Sequence, residues 1–211
     1  IRRPPRSTQS RSSAASDVYK RQGLYFRCLW LLWLKTHAAR KSYMSVNEQA
    51  LRETMRLWAC GVTVVTTSDG QQRAGMTVSS FTSISLEPPL ILVCLHKMAE
   101  TCQLIAKTGV FAVSILGEAH EAVSMQFAGY TELPPDADRF YAIETVTEQT
   151  GAPILKDAIA WLDCRVYGTH DGGTHQIYVG EVIATGRRPD PAWPLVWHNR
   201  AYRRFVKDPS S

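Results

Sequence analysis

The chain has 211 residues and a formal net charge of +5. That length suffices for one full hydrophobic core and falls short of the size at which cores usually divide. The positive balance sits at one end: residues 1–43 carry ten Lys and Arg against one acid, Asp17, a net of +9, whereas residues 44–211 carry fourteen against eighteen acids, a net of −4. A mildly acidic body lacks the basic face a nucleic-acid binder needs, and that function class is excluded.

Residues 1–22 show no hydrophobic period and read as disordered. They also look like translated adaptor sequence, which would place the leader outside the natural protein. The apolar run Leu24–Leu34 is interrupted by Arg27 and too short to cross a bilayer. With basic residues before it and His37-Ala38-Ala39 after it, a signal peptide is the alternative. Met44 is the expected start of the folded part, because Ser45 and Glu48 form a capping-box pattern directly after it. The expected organisation is a disordered or artefactual leader, 1–43, followed by one domain, 44–211, with no membrane span.

Ser45–Ala59 is predicted as a helix with Leu51, Met55 and Trp58 along one face, stopped by Gly61. Val62–Thr67 is a β-branched strand, and Ser68-Asp69-Gly70 turns it back as a hairpin. The returning strand, Ala74–Phe81, is rich in hydroxyls at Thr77, Ser79 and Ser80, which offer neutral donors and acceptors to a polar planar ligand. Pro88-Pro89 ends this region. Leu90–Leu95 is apolar on both sides of the pleat and predicts a central strand buried on both faces. The loop His96–Glu100 opens a helix at Thr101–Thr108, and Lys97 and Thr101 beside its N-terminus make it a candidate anion seat. Val110–Leu116 is a further buried strand, Glu118–Ala128 a helix, and Tyr130–Asp138, with Pro134-Pro135, a loop. Ile154–Lys156 reads as a short edge strand. Ala160–Thr169 and Gln176–Thr185 are long strands joined by His170-Asp171-Gly172-Gly173, and Leu195–His198 is a last one. Many strands, few helices and short turns predict a mostly antiparallel β-barrel with helices over its ends. No GxGxxG follows a strand, which argues against a doubly wound dinucleotide fold.

The five cysteines show neither CxxC nor disulfide-framework spacing, so a reducing, cytoplasmic location is expected. Cys94 and Cys164 lie in apolar strands as packing residues. His170, Asp171 and His175 flank one turn, but no further ligand stands at recognisable spacing and no metal is expected. There is no GxSxG and no paired-carboxylate pattern. These absences point to chemistry carried by bound organic groups, with the protein supplying position and electrostatics.

Several stretches together resemble the flavin reductase-like family of split barrels: Gly61–Thr67, Gly75–Leu95, Thr108–Leu116, Phe127-Ala128 with Asp138-Arg139-Phe140, Cys164 through Val182, and Pro194–His198 with Tyr202. The resemblance covers Ala50 to Phe205 and implies a mostly β fold with flanking helices, an antiparallel split β-barrel that binds FMN. It implies an NAD(P)H:flavin oxidoreductase using FMN or FAD with NADH or NADPH, a homodimer, and a partner monooxygenase receiving the reduced flavin. Arg73, Ala74, Gly75, Met76 and Thr77, with Ser79 and Ser80, match the strand that holds the flavin ring. Cys94, Leu95 and His96 match the strand end along the ribityl chain; Lys97, Glu100 and Thr101 match the phosphate loop. Gln126 and Phe127 match a further cofactor contact. Gly173, Thr174 and Gln176, centred on His175, match the nicotinamide hairpin, and His175 is the candidate for orienting that ring. A flavin-retaining electron-transfer protein and a non-enzymatic flavin-binding module are the alternatives.

Overall fold

The computed structural model describes residues 46–190 and 192–205; the readings placed on the leader, on Met44 and on Ser45 lie outside them. The chain divides between Leu51 and Arg52 into two units, and the second, from Arg52 onward, is described by itself. Helix α1, Glu48–Met55, runs across that boundary. It is shorter than the predicted Ser45–Ala59, and its apolar stripe is not a core face: Leu51, Met55 and the following Trp58 are 53%, 54% and 68% exposed.

The second unit is built on strands. They are β1 (Cys60–Gly61), β2 (Thr63–Ser68), β3 (Arg73–Val78), β4 (Phe81–Leu86), β5 (Pro89–His96), β6 (Val110–Ile115), β7 (Thr145–Thr147), β8 (Pro153–Leu155), β9 (Ala160–Gly172), β10 (His175–Arg187), β11 (Val196–His198) and β12 (Ala201–Arg203). Seven of them form one antiparallel sheet in the order β3-β2-β6-β9-β10-β5-β4. β1, β11 and β12 make a three-stranded sheet, and β7 with β8 a two-stranded one. Helices α2 (Glu100–Thr108) and α3 (Glu121–Phe127), the latter entered through a 3-10 turn at Glu118–His120, complete the unit. The mostly β, antiparallel architecture expected from the residues is the one observed.

Two strand readings are corrected. The hydroxyl-rich segment is two strands, and they lie at opposite ends of the sheet order. The chain leaves β3 at Ser79-Ser80 because Ser80 pairs with another strand: its carbonyl accepts from Cys94 N–H at 3.2 Å and its hydroxyl donates to Cys94 O at 2.8 Å. Leu90–Leu95 is not central either. β5 lies between β10 and the edge strand β4, and its burial alternates. Ile91, Val93 and Leu95 enter the core, whereas Leu90, Leu92 and Cys94 are only half-buried.

The main core gathers Val65, Val93, Leu95, Phe111, Val113 and Cys164, all fully buried, with Ile105 of α2 packed on them. α2 ends where Gly109, at φ 67°, takes the left-handed cap conformation and donates its N–H to Ile105 O. A second cluster, including Leu116, Phe127, Phe140 and Leu195, ties α3 to the chain's last strands. Burial pushes the Cys164 thiol up to about 12, in keeping with an inert packing residue.

Candidate functional site

A groove of about 610 Å³ opens along β3, within the size range typical of small-molecule sites. Its floor is the strand Arg73–Thr77; one wall is Ala99–Thr101 at the start of α2, the other Phe127–Ala128 with Tyr130 and Ala137–Phe140. The floor is thin by construction. A β-carbon on Gly75 would lie 2.6 Å from the Phe127 ring, so only glycine lets that buried ring pack against the strand. Phe127 in turn meets Phe140 edge-to-face at 4.9 Å. Thr77 donates its hydroxyl to Ser124 O at 2.7 Å, which locks β3 to α3.

The outer wall is pinned by polar contacts. Arg73 forms a two-pronged pair with Asp138, Nε to Oδ2 at 2.7 Å and Nη2 to Oδ1 at 3.2 Å, and lies 4.5 Å over the Phe140 ring. Asp138 Oδ1 also accepts the Phe140 N–H at 2.9 Å. Arg139 donates to Phe127 O. Gln126 donates from Nε2 to the carbonyls of Arg139 and Tyr141 at 3.0 and 2.9 Å.

The second cluster lies at the joined ends of β5, β9 and β10. His175 stands opposite His96 in the β10–β5 ladder, and their rings meet edge-on at 5.3 Å. Thr174 Oγ1 lies 2.9 Å from His175 Nδ1, and Thr174 O accepts the Lys97 N–H at 3.1 Å. Lys97 Nζ donates to Asp171 Oδ1 at 3.0 Å, and the same oxygen accepts the Gly173 N–H at 2.7 Å. The Lys97 ammonium, and then that backbone donor, hold the Asp171 carboxyl below the usual carboxylate range. His96 and His175 are exposed. Met98 alone stands between Lys97 of this cluster and Ala99, where the groove wall begins.

The predicted site residues therefore divide. Arg73, Ala74, Gly75, Met76, Thr77, Thr101 and Phe127 line the groove together, as does Glu100. His96, Lys97, Gly173, Thr174, His175 and Gln176 gather at the hairpin end, where Gln176 Nε2 donates to His170 O at 2.8 Å. Ser79 lines a neighbouring hollow with Thr77 and Tyr130, while Ser80 is engaged with Cys94. Leu95 lines neither region: it is fully buried in the core, because alternation along β5 turns it inward. Cys94, its neighbour, is half-buried on the opposite face. Gln126 spends its amide on loop carbonyls rather than on the groove. Lys97 pairs with Asp171 instead of standing free at the start of α2. Reading the sequence as a plain loop over Tyr130–Asp138 missed the groove's outer wall; the signal was the Asp138-Arg139-Phe140 triplet, whose partners are distant in sequence.

The groove's lining combines the backbone of Arg73–Thr77, the aromatic side chains Phe127, Tyr130 and Phe140, and four charged side chains, Arg73, Glu100, Asp138 and Arg139. Residues 55–205 match the model of the flavin reductase like domain, and the chain belongs to that family. Its fold is the mostly β, antiparallel one of flavin reductases of the split-barrel kind. The chain is 38% identical over 163 residues to the NADH-dependent FAD reductase of Streptomyces globisporus, spanning 75% of this chain and 86% of that one. It is 34% identical over 176 residues to the FMN reductase (NADH) RutF 1 of Methylorubrum extorquens, spanning 83% and 85%. Among solved structures, the nitrilotriacetate monooxygenase component B homologue from Mycobacterium thermoresistibile superposes with a TM-score of 0.69. That match is 31% identical and covers 75% of this chain and 87% of the other.

Proposed function

We propose that the chain is an NAD(P)H:flavin oxidoreductase that reduces FMN or FAD and passes the reduced flavin to a monooxygenase component. The observation that carries this reading is the groove along β3, whose end at Ala99 lies a few residues from the His96–His175 cluster. The two ligands supply the hydride chemistry themselves, the nicotinamide giving a hydride that the flavin ring accepts. The chain's task is placement, and holding two reactants in contact accounts for several kcal/mol of a barrier. The β3 backbone, locked by Thr77 to α3, sets the plane of the flavin ring. His175, steadied by Thr174 and the His96 ring, orients the nicotinamide amide.

The domain responsible is 44–211, in a homodimer and in the cytoplasm. The dimer reading is supported by apolar side chains left in water, among them Leu57, Trp58, Ile84 and Leu86 on the second unit. Steady-state oxidation of NADH and NADPH, followed by nicotinamide absorbance, tests the activity. Turnover should rise and saturate with added FMN or FAD. Flavin binding without nucleotide oxidation would leave the non-enzymatic binding module instead.

A further inference from the structure

The groove offered to an anionic flavin nucleotide has its best cation already taken. Arg73 is held by Asp138 through two hydrogen bonds, and both side chains are half-exposed, at 43% and 44%. Glu100 adds a second acid to the lining, and Arg139 spends a donor on Phe127 O. Lys97, just outside, is paired with Asp171. A phosphate entering here meets Arg73 already paired with a carboxylate and Arg139 with one donor spent on a backbone carbonyl.

Resting on the reductase reading, we propose that Arg73 is the residue that recognises the flavin phosphate, and that Asp138 is its internal competitor. Binding is an exchange. The guanidinium leaves a single carboxylate for a phosphate that carries more charge and three acceptor oxygens, and the planar fork suits either partner. The exchange is favourable because an exposed ion pair is worth little, whereas a hydrogen bond to a charged ligand in a partly enclosed groove is worth more. Phe140 keeps the guanidinium over its ring while the partners change, since the cation–π contact at 4.5 Å uses a face of the group and leaves its edge free. Asp138 also retains its bond from the Phe140 N–H, so the wall need not unravel. The consequence is a flavin held loosely enough to leave, which is what a protein handing flavin to a partner requires.

The test is direct titration of the full chain with FMN, riboflavin and NADH, comparing wild type, Asp138→Asn, Arg73→Gln and the double variant. Riboflavin reports the ring without the phosphate. Asp138→Asn keeps an oxygen for the Phe140 N–H, and thermal unfolding checks that each variant is folded. Asp138→Asn should tighten FMN about three- to fivefold, the worth of an exposed ion pair, and leave riboflavin unchanged. Arg73→Gln should weaken FMN about tenfold, and adding Asp138→Asn to it should restore nothing. The proposal is overturned if Asp138→Asn leaves FMN unaltered or shifts riboflavin equally. It is also overturned if NADH responds instead, or if FMN still tightens without Arg73, which would indicate a general charge effect. Failure of the wild-type chain to bind either flavin would overturn the reductase reading, and this proposal with it.

Discussion

The groove and the hairpin end lie a few residues apart along the chain and are built on opposite principles. The groove is an excavation in packed material, with a floor of Ala74 and Gly75, both buried, and a wall resting on the fully buried Phe127. The hairpin end is assembled in water from side chains that reach one another across a turn, with His96, Asp171, Thr174 and His175 all exposed. Packed atoms hold a shape at the cost of tolerance, because interiors are as dense as organic crystals. Exposed pairs hold an orientation that is cheap to lose and easy to adjust. A seat for a large planar ring needs the first property; a contact for a second ligand that must come and go needs the second.

Substitutions should separate the two regions by size of effect. Phe127→Ala, which removes the ring beneath β3 and its contact with Phe140, should destabilise the fold by about 3–5 kcal/mol. Thermal or denaturant unfolding measures this, and flavin affinity should fall with it. Gly75→Ala adds the opposite insult, a β-carbon 2.6 Å from the Phe127 ring, and should cost about 1–3 kcal/mol through overpacking. His175→Ala should leave unfolding unaltered and raise the KM for NADH by up to about tenfold, the worth of one hydrogen bond. A loss of stability there would show the hairpin end to be structural rather than a contact for the nucleotide. Lys97→Ala, which removes one solvent-exposed ion pair, should do least, leaving unfolding and both ligand affinities close to wild type.

Acidity sharpens the same contrast. Because the Lys97 ammonium and the Gly173 N–H hold the Asp171 carboxyl below its ordinary value, the support it gives the turn is fully present above the unfolded carboxylate range. It is lost as pH falls through the lowered folded value. Asp171→Asn should therefore remove a small acid-side dependence from NADH binding while the groove's flavin affinity stays level. Equal sensitivity in both regions would contradict the division.

How much of this could be seen in the sequence follows from the range of each signal. The β9–β10 hairpin was legible because two long alternating runs flank Asp171-Gly172-Gly173, and α2 because its stop, Gly109, stands next to a helical period. β1, β7 and β12 were not: at two or three residues they have no period to detect, and they lack the short apolar run that marks Ile154-Leu155 and Leu195-Val196-Trp197. The β3–β4 division was hidden inside one run of hydroxyls; only the pairing of Ser80 with Cys94, fourteen residues away, reveals it. Leu95 was placed at the site by the family resemblance, which matches it together with Cys94 and His96, whereas alternation along β5 turns its side chain into the core. The Arg73–Asp138 clasp joins residues 65 apart, and no local pattern announces such a pair. The stretch Ala74–Val78 was thus read as strand with its end misplaced, while the wall that makes it a groove came only from the tertiary structure.

The central claim is that flavin occupies the groove along β3. Hydrogen exchange of the full chain with and without saturating FMN tests it most directly. The account predicts slower exchange in β3, in the first turn of α2 and in the 128–140 wall, with β7 and β8 unaffected. Unchanged exchange along Arg73–Val78, with protection appearing elsewhere in the chain, would contradict it.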